Sequence, residues 1–188
     1  MNLLAGCSSQ ADAAERRRVM LSFLDVLLRL IVLHQWSHPR LRLATPADAS
    51  RLSALGAACL SDDAPRPERW MRLLKDEHSF YWLLERSFIL VGCVGCTTRE
   101  PSHDLPQRGH VTMLAVHGAW RRRGLGTLLM HTALHALAPK YPCVTLLVRS
   151  DNTAALRLYS GLGFRVHRCL PGYYRDGGEG LLCVRWEE

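Results

Sequence analysis

The sequence predicts a single mixed α/β domain, in which helices flank a mixed central β-sheet, preceded by an N-terminal amphipathic helical extension. Strand and helix patterns alternate between Leu41 and Trp186 in the order β-α-α-β-β-β-α-β-α-β-β. The chain has 188 residues, of which 48% are hydrophobic, and this is enough to bury the core of one domain. We therefore predict an extension at residues 1–40 and one domain at residues 41–188.

The most apolar stretch of the extension is residues 20–36, with the sequence MLSFLDVLLRLIVLHQW. Ser22, Asp25 and Arg29 interrupt it before it reaches the ~20 apolar residues that a membrane span needs. Because these polar positions recur every three or four residues, they line one face of an amphipathic helix. Three roles stay open for this helix: packing against the domain or an auxiliary subunit, lying on a membrane surface, and targeting.

The first half of the domain is predicted to contain two helices and three strands. Thr45-Pro46 supplies an N-cap and a proline at the first helical position. A second helix follows the turn-rich residues 61–67, and two strand-like runs after it are close enough to pair as a hairpin. The predicted elements are a strand at Leu41–Ala44, helices at Ala47–Leu60 and Glu68–Glu77, and strands at Phe80–Leu84 and Phe88–Cys96.

A polar loop at residues 101–109 leads into the second half, where strands and helices alternate. Pro139 ends one predicted helix, and Asn152 and Gly163 are typical of the two ends of the next. The predicted elements are strand His110–Val116, helix Leu128–Leu137, strand Val144–Val148, a helix from Asn152 to about Leu162, and strands Arg165–Leu170 and Leu181–Trp186.

The seven cysteines are an odd number scattered through apolar runs, which does not fit a disulfide framework. We therefore expect a reducing compartment and a cytoplasmic location, with the periphery of a membrane left open by the extension. Cys93 and Cys96 form a C-x-x-C motif within a strand, where positions three apart face opposite sides. This geometry favours buried structural thiols over a disulfide or a shared metal.

A basic, glycine-rich turn lies between the strand that ends at Val116 and the helix that follows it. The N–H groups of such a turn converge near the helix N-terminus, which carries roughly half a positive charge. Glycines let the backbone approach an anion closely, and guanidinium groups can reach terminal phosphates. The residues that predict this anion cradle, which suits a pyrophosphate, are Arg121, Arg122, Arg123, Gly124 and Gly126.

Several other kinds of site are excluded, because the sequence lacks the motifs that they need. The sequence has no G-x-x-x-x-G-K-[ST] string, and no third glycine follows Gly126 at the dinucleotide-binding spacing. His131 and His135 lack the intervening glutamate of a zinc protease, and we predict no metal. The net charge of +7 favours an anionic partner. We do not expect that partner to be a nucleic acid, because no basic patch interleaves with aromatic residues.

Two motifs stand out in the second half of the domain: Leu114-Ala115-Val116 followed by Arg121-x-x-Gly124-x-Gly126, and Asn152-x-x-Ala155-x-x-Leu158-Tyr159-x-x-x-Gly163-Phe164. Both resemble motifs of the GCN5-related N-acetyltransferase (GNAT) family. The resemblance extends from Leu41 to Trp186 and implies a GNAT fold with acetyl-CoA as co-substrate. The cofactor-binding residues that it implies are Leu114, Ala115, Val116, Arg121, Arg122, Arg123, Gly124, Leu125, Gly126, Thr127, Asn152 and Tyr159.

Within this family the chain is most similar to the branch that acetylates protein N-termini. Three segments carry this similarity: Gly109-His110-Val111-Thr112-x-Leu114-Ala115-Val116, Leu146-x-Val148-Arg149-Ser150 and Pro171-x-Tyr173-Tyr174. The resemblance implies that the acceptor is a protein N-terminus or a peptide, and that Asp62, Trp70, Tyr173 and Tyr174 bind it. The alternatives are a small-amine or lysine acceptor and a non-catalytic acetyl-CoA-binding subunit.

The same resemblance implies that Tyr159 is the acid that protonates the departing thiolate. Many members of the family carry His or Glu where this chain has Leu147, so the usual general base is missing. An α-amine with a pKa of about 7.7–8.0 needs less help than a lysine at about 10.4, which favours α-amine substrates. His110, as a histidine with an unperturbed pKa of about 6.5, is the predicted proton acceptor or water holder.

Overall fold

Seven strands form one sheet in the computed structural model, which describes residues 39–60 and 65–187. The strands are β1 (Arg40–Leu43), β2 (Ser79–Arg86), β3 (Ile89–Arg99), β4 (Arg108–Val116), β5 (Cys143–Arg149), β6 (Arg165–Leu170) and β7 (Gly180–Trp186). Their order is β1-β2-β3-β4-β5-β7-β6, and among them only β4 and β5 are parallel neighbours. This confirms the predicted mixed sheet. The predicted helix at residues 20–36 lies outside the described residues.

Helices cover both faces of the sheet. They are α1 (Ala49–Leu60), α2 (Pro67–Leu73), α3 (Leu125–Leu137) and α4 (Thr153–Gly161). Leu52 of α1 packs in one buried cluster with Cys93 of β3, whereas Leu129 of α3 packs in another with Val94. Because Cys93 and Val94 are adjacent in a strand, the two clusters lie on opposite faces. We call them the α1/α2 face and the α3/α4 face.

Helix α2 ends at Leu73, before the predicted end at Glu77. The carboxylate of Asp76 accepts hydrogen bonds from the hydroxyl of Ser79 at 2.7 Å and from the N–H of His78 at 3.1 Å. An aspartate that bonds to the backbone just after it favours a turn over a helix. This turn leads the chain directly into β2.

The C-x-x-C cysteines lie on opposite faces of the sheet, as predicted. Cys93 belongs to the cluster on the α1/α2 face and Cys96 to the cluster on the α3/α4 face, and both are fully buried. Burial raises the pKa of both thiols, that of Cys96 to about 12. Both side chains therefore stay protonated and act as small apolar core groups.

The parallel strands β4 and β5 separate along their length. Their paired residues are Gly109 with Val144, His110 with Thr145 and Val111 with Leu146. Both strands continue beyond the last pair, β4 to Val116 and β5 to Arg149, without further pairing between them. The separation opens a cleft at the carboxyl ends of the two strands, where ligands typically bind in α/β sheets.

Candidate active site

The turn at residues 117–124 joins β4 to α3, and we call it the anion turn. Gly124 caps α3 with a φ of +76°, and a Cβ built there would have no atom within 4 Å. Helix α3 begins at Leu125, earlier than the predicted Leu128. The N–H of Leu128 bonds to the carbonyl of Gly124 at 3.0 Å, and the three N–H groups before it lack intrahelical acceptors. These groups fit the predicted cradle for a pyrophosphate.

The arginines of the anion turn have different surroundings. The Nε of Arg121 donates to the carbonyl of Val116 at 3.0 Å, which ties the turn to the end of β4. Arg123 stacks on Trp120 with its guanidinium carbon 5.0 Å from the ring centroid. Arg86 of β2 stacks on the same ring at 4.9 Å. Sequence analysis missed Arg86, because it belongs to another strand and no local motif marks it.

We expect Gly124→Ala to raise the KM for acetyl-CoA about tenfold, because a left-handed backbone costs an L-residue about 1–2 kcal/mol. Without ligand the turn would relax and move the N–H groups at the start of α3 out of place, and binding of the anion would then have to restore the left-handed backbone at that cost. Steady-state kinetics with varied acetyl-CoA measure this effect. Gly118→Ala is the matched control, because Gly118 lies in the same turn, has open space around it and lacks a positive φ. Equal KM values for the two variants would contradict the prediction.

Helix α4 packs against the start of α3, next to the cradle. A Cβ on Gly126 would lie 3.5 Å from a methyl carbon of Leu158, which is an ordinary van der Waals distance. The side-chain oxygen of Asn152 accepts a hydrogen bond from the N–H of Ala155 at 3.1 Å and caps α4. The structure therefore gives Asn152 a part in placing α4. A direct contact between Asn152 and the cofactor stays a prediction.

Tyr159 on α4 is 8% exposed, and its ring lies edge-on to Phe164 with the centroids 6.0 Å apart. Burial raises the pKa of Tyr159 to about 12, with smaller contributions from Cys183 and Tyr174. The hydroxyl is therefore protonated at neutral pH. A protonated hydroxyl in an apolar setting is suited to donate to a developing anion, as the predicted acid must.

The loop at residues 171–179 joins β6 to β7 and lies at the same end of the sheet as the mouth of the cleft, because β5 and β6 run in the same direction. Tyr173 is 51% exposed, and its ring lies edge-on to Tyr174 with the centroids 5.2 Å apart. The guanidinium of Arg149, at the end of β5, lies 4.6 Å from the ring centroid of Tyr174. The same guanidinium bonds both carboxylate oxygens of Asp176, at 2.7 and 3.2 Å.

Arg149 therefore links the tyrosine pair to the edge of the cleft. A further bond from the N–H of Ser150 to the carbonyl of Glu179, at 3.0 Å, ties the loop to the residue after β5. Arg149 belongs to a predicted motif, but no role was predicted for its side chain. No sequence motif marks Asp176. The pairing of two side chains so far apart in the chain becomes visible only once the strands are placed.

His110 of β4 lies near the point where the two strands separate. The side chain is 7% exposed, and its Nδ1 lies 2.8 Å from the hydroxyl of Thr145 on β5. The pKa of His110 is lowered to about 4, mainly by burial and further by the positive charges of Arg99 and Arg108. The ring is therefore neutral at physiological pH and can accept a hydrogen bond.

One face of β5 connects His110 with the tyrosine pair. Val144, Leu146 and Val148 pack into the cluster on the α3/α4 face, so the alternate residues of β5 point to the α1/α2 face. From the closed end of the cleft to its mouth, these alternate residues are Thr145, Leu147 and Arg149. They span about 13 Å at the usual rise of a strand. Leu147 thus places an apolar side chain between His110 and the loop.

Trp70 does not line a groove, contrary to the prediction. The side chain is 0% exposed and lies edge-on to Tyr81, with the centroids 5.2 Å apart. Trp70 packs in the cluster beneath α1 and α2, because burying its large ring removes much apolar area from water. The apolar residues at helical spacing around it were the signal for a core position. Asp62 lies outside the described residues, and its role stays a prediction.

In residues 39–60 and 65–187, no three His, Cys, Asp or Glu side chains lie close enough together to hold a metal ion. His131 and His135 lie on the exposed side of α3. Over the same two ranges, no helix is long and apolar enough to cross a membrane.

An anion turn at the mouth of a splayed strand pair, with a buried tyrosine on the helix that packs against α3, fits a transferase that uses an acyl-CoA. The model of the Acetyltransferase (GNAT) family matches residues 48–164. The chain belongs to this family.

Relatives and solved structures agree with this assignment. An N-alpha-acetyltransferase of Sulfurisphaera tokodaii is 28% identical over 151 residues, which cover 76% of this chain and 90% of the relative. The N-terminal acetyltransferase A complex catalytic subunit NAA10 of Arabidopsis thaliana is 31% identical over 140 residues, which cover 73% and 72%. The structure of Arabidopsis thaliana NAA60 in complex with a bisubstrate analogue aligns with a TM-score of 0.69 at 20% identity, covering 80% of this chain and 100% of that chain. The protein is an acetyl-CoA-dependent N-acetyltransferase, and the predicted GNAT fold is confirmed.

Proposed function

We propose that the protein acetylates the α-amino groups of protein N-termini. The observation that carries this proposal is the pair of the exposed Tyr173 and the half-buried Tyr174, which Arg149 ties to the edge of the cleft. A pair of aromatic rings at an open mouth suits an extended peptide, whose backbone can lie along them. The relatives named N-alpha-acetyltransferase support the same acceptor.

In the proposed reaction the amine nitrogen bonds to the acetyl carbon, the carbon–sulfur bond breaks, and the amine nitrogen releases one proton to water. Acetyl-CoA supplies the activated acetyl group as a thioester. The arginines of the anion turn and the free N–H groups at the start of α3 hold the pyrophosphate. Tyr159 donates its hydroxyl proton to the departing sulfur and regains a proton from solvent. His110 accepts a hydrogen bond from the amine or from a water beside it.

The acceptor must arrive with a neutral amine, because the described residues of this part of the site include no strong base. The pKa of His110 is lowered to about 4, and Leu147 is apolar. An α-amine with a pKa of about 7.7–8.0 is roughly a quarter neutral near physiological pH, against about a thousandth of a lysine at about 10.4. The site therefore favours α-amines over lysine side chains.

Acetyl transfer to a library of short peptides tests the proposal. The library carries free N-termini, and matched peptides have blocked N-termini and an internal lysine. We expect transfer to free N-termini only, and the reactive peptides give the preferred first residues. Transfer to the blocked lysine peptides, or to small amines in place of every peptide, would contradict the proposal.

We expect Arg149→Ala to raise the KM for peptide acceptors about fivefold, because the variant frees the loop at residues 171–179 from the end of β5. The KM for acetyl-CoA should not change, since the anion turn does not contact this arginine in the described residues. Initial rates with varied peptide and varied acetyl-CoA separate the two effects. Arg165→Ala removes an exposed arginine from β6 and is the control. A change in the KM for acetyl-CoA alone would contradict the role given to Arg149.

The remaining predictions concern the cellular location of the protein and the role of its N-terminal extension. A cytoplasmic location, and a role for residues 20–36 in binding an auxiliary subunit or a membrane surface, are proposals that rest on composition and pattern. Pull-down and membrane-flotation assays that compare the full chain with a variant carrying charged substitutions on the apolar side of residues 20–36 test them. Unchanged behaviour in both assays would leave packing against the domain and targeting as the roles open to this predicted helix.

A further inference from the structure

Two polar side chains are buried together near the closed end of the cleft. Thr145 is 0% exposed and His110 is 7% exposed, and they belong to strands that pair at this point. Val111, Val144 and Leu146 beside them point to the α3/α4 face, so both polar side chains point to the α1/α2 face. A buried polar pair must satisfy its own hydrogen bonds.

The number of available protons fixes the direction of the hydrogen bonds that Thr145 makes. The hydroxyl of Thr145 lies 2.8 Å from Nδ1 of His110 and 3.3 Å from the carbonyl oxygen of Gly109, to which it donates. A hydroxyl has one proton, and a carbonyl only accepts. Both contacts are therefore satisfied only when Nδ1 carries the ring proton and donates it to Thr145. The reverse arrangement would leave the oxygen of Gly109 without this bond.

The other ring nitrogen then carries the lone pair. In residues 39–60 and 65–187, the buried side-chain nitrogen and oxygen atoms without a partner are Nε1 of Trp70 and Oε1 of Glu187. Nε2 of His110 is not one of these buried atoms, and within the described residues the hydrogen bond of this side chain is made by Nδ1. Nε2 therefore lies at the accessible edge of the ring. It is on the same face as Leu147 and Arg149, which lead to the tyrosine pair.

We propose that Thr145 is a positioning residue that fixes His110 as the Nδ1–H tautomer, so that Nε2 accepts a hydrogen bond from the acceptor amine or from a water beside it. This rests on the proposed function. A neutral amine that donates to Nε2 has its lone pair free to face the acetyl carbon. The ring thus orients an amine that is already neutral and does not need to remove its proton.

The proposal predicts two separate effects of Thr145→Val, which removes the hydroxyl but keeps the shape of the side chain. The 15N NMR signals of His110, assigned by their loss in His110→Gln, should show a protonated Nδ1 in the wild type and a shift toward protonated Nε2 in Thr145→Val. The kcat for peptide acetylation should fall about tenfold, the size expected for one lost hydrogen bond. The KM for acetyl-CoA should stay unchanged.

Two variants keep this test specific. Thr145→Ser retains the hydroxyl and should restore both the tautomer and kcat. Thr97→Val removes the hydroxyl of the buried threonine that pairs with His110 from the β3 side, and it should alter neither. A protonated Nε2 in the wild type would overturn the proposal, as would an unchanged kcat after the tautomer has shifted. Absence of peptide acetylation by the wild type would overturn the proposed function instead, while the NMR signals would still decide the tautomer.

Discussion

The variant Tyr159→Phe is expected to lower kcat about a hundredfold, because general acid catalysis typically contributes about 10²–10⁴-fold. The buried hydroxyl, whose pKa is raised to about 12, is protonated and can donate to the departing sulfur. Phenylalanine keeps the edge-on contact with Phe164 and so keeps the packing of α4 against the sheet. The KM values for peptide and acetyl-CoA should therefore change little. Steady-state kinetics at saturating concentrations of both substrates measure the effect.

The matched control for this variant is Tyr141→Phe. The hydroxyl of Tyr141 bonds to the side chain of Thr98 at 2.7 Å, away from α4 and the anion turn. The control loses one tyrosine hydroxyl and its hydrogen bond but should keep kcat. Equal kcat values for the wild type and Tyr159→Phe would remove Tyr159 from the mechanism. A loss of folded protein, monitored by circular dichroism, would identify a structural role in its place.

The anion turn could be predicted from sequence because its signal is local. Arg121, Gly124 and Gly126 lie within one turn between a strand and a helix, and their residue types state the chemistry directly. The succession of strands and helices along the chain follows from similar local patterns. The end of α2 was predicted too late, because the bonds of Asp76 that form the turn into β2 compete with apolar helical spacing.

The contacts that sequence analysis missed join residues from different strands. Arg149 meets Asp176 only after the sheet has formed, and the same holds for Arg86 and Trp120. The opening between β4 and β5 depends on where their pairing stops, which no single strand reveals. Trp70 was misplaced for a different reason, since a resemblance transferred its role although its apolar helical neighbours indicated the core.

The pH dependence of the reaction follows from the groups that do not titrate near neutrality. The lowered pKa of His110, about 4, means that the ring gains a proton and loses its acceptor nitrogen only below that pH. The raised pKa of Tyr159, about 12, means that the acid keeps its proton up to strongly alkaline pH. Of these three groups, the acceptor amine is the one that titrates between pH 5 and 9.

We therefore expect kcat/KM for a peptide acceptor to rise about tenfold per pH unit and to level off near the pKa of its own α-amine, at about 7.7–8.0. Between pH 6 and 8 this amounts to about fiftyfold. Initial rates at low peptide concentration, repeated with peptides whose α-amines differ in pKa, provide the measurement. The midpoint should move with the peptide. A midpoint that stays at pH 6–7 for every peptide would instead assign the titration to a group of the enzyme, and His110 would then act as a base with a near-normal pKa.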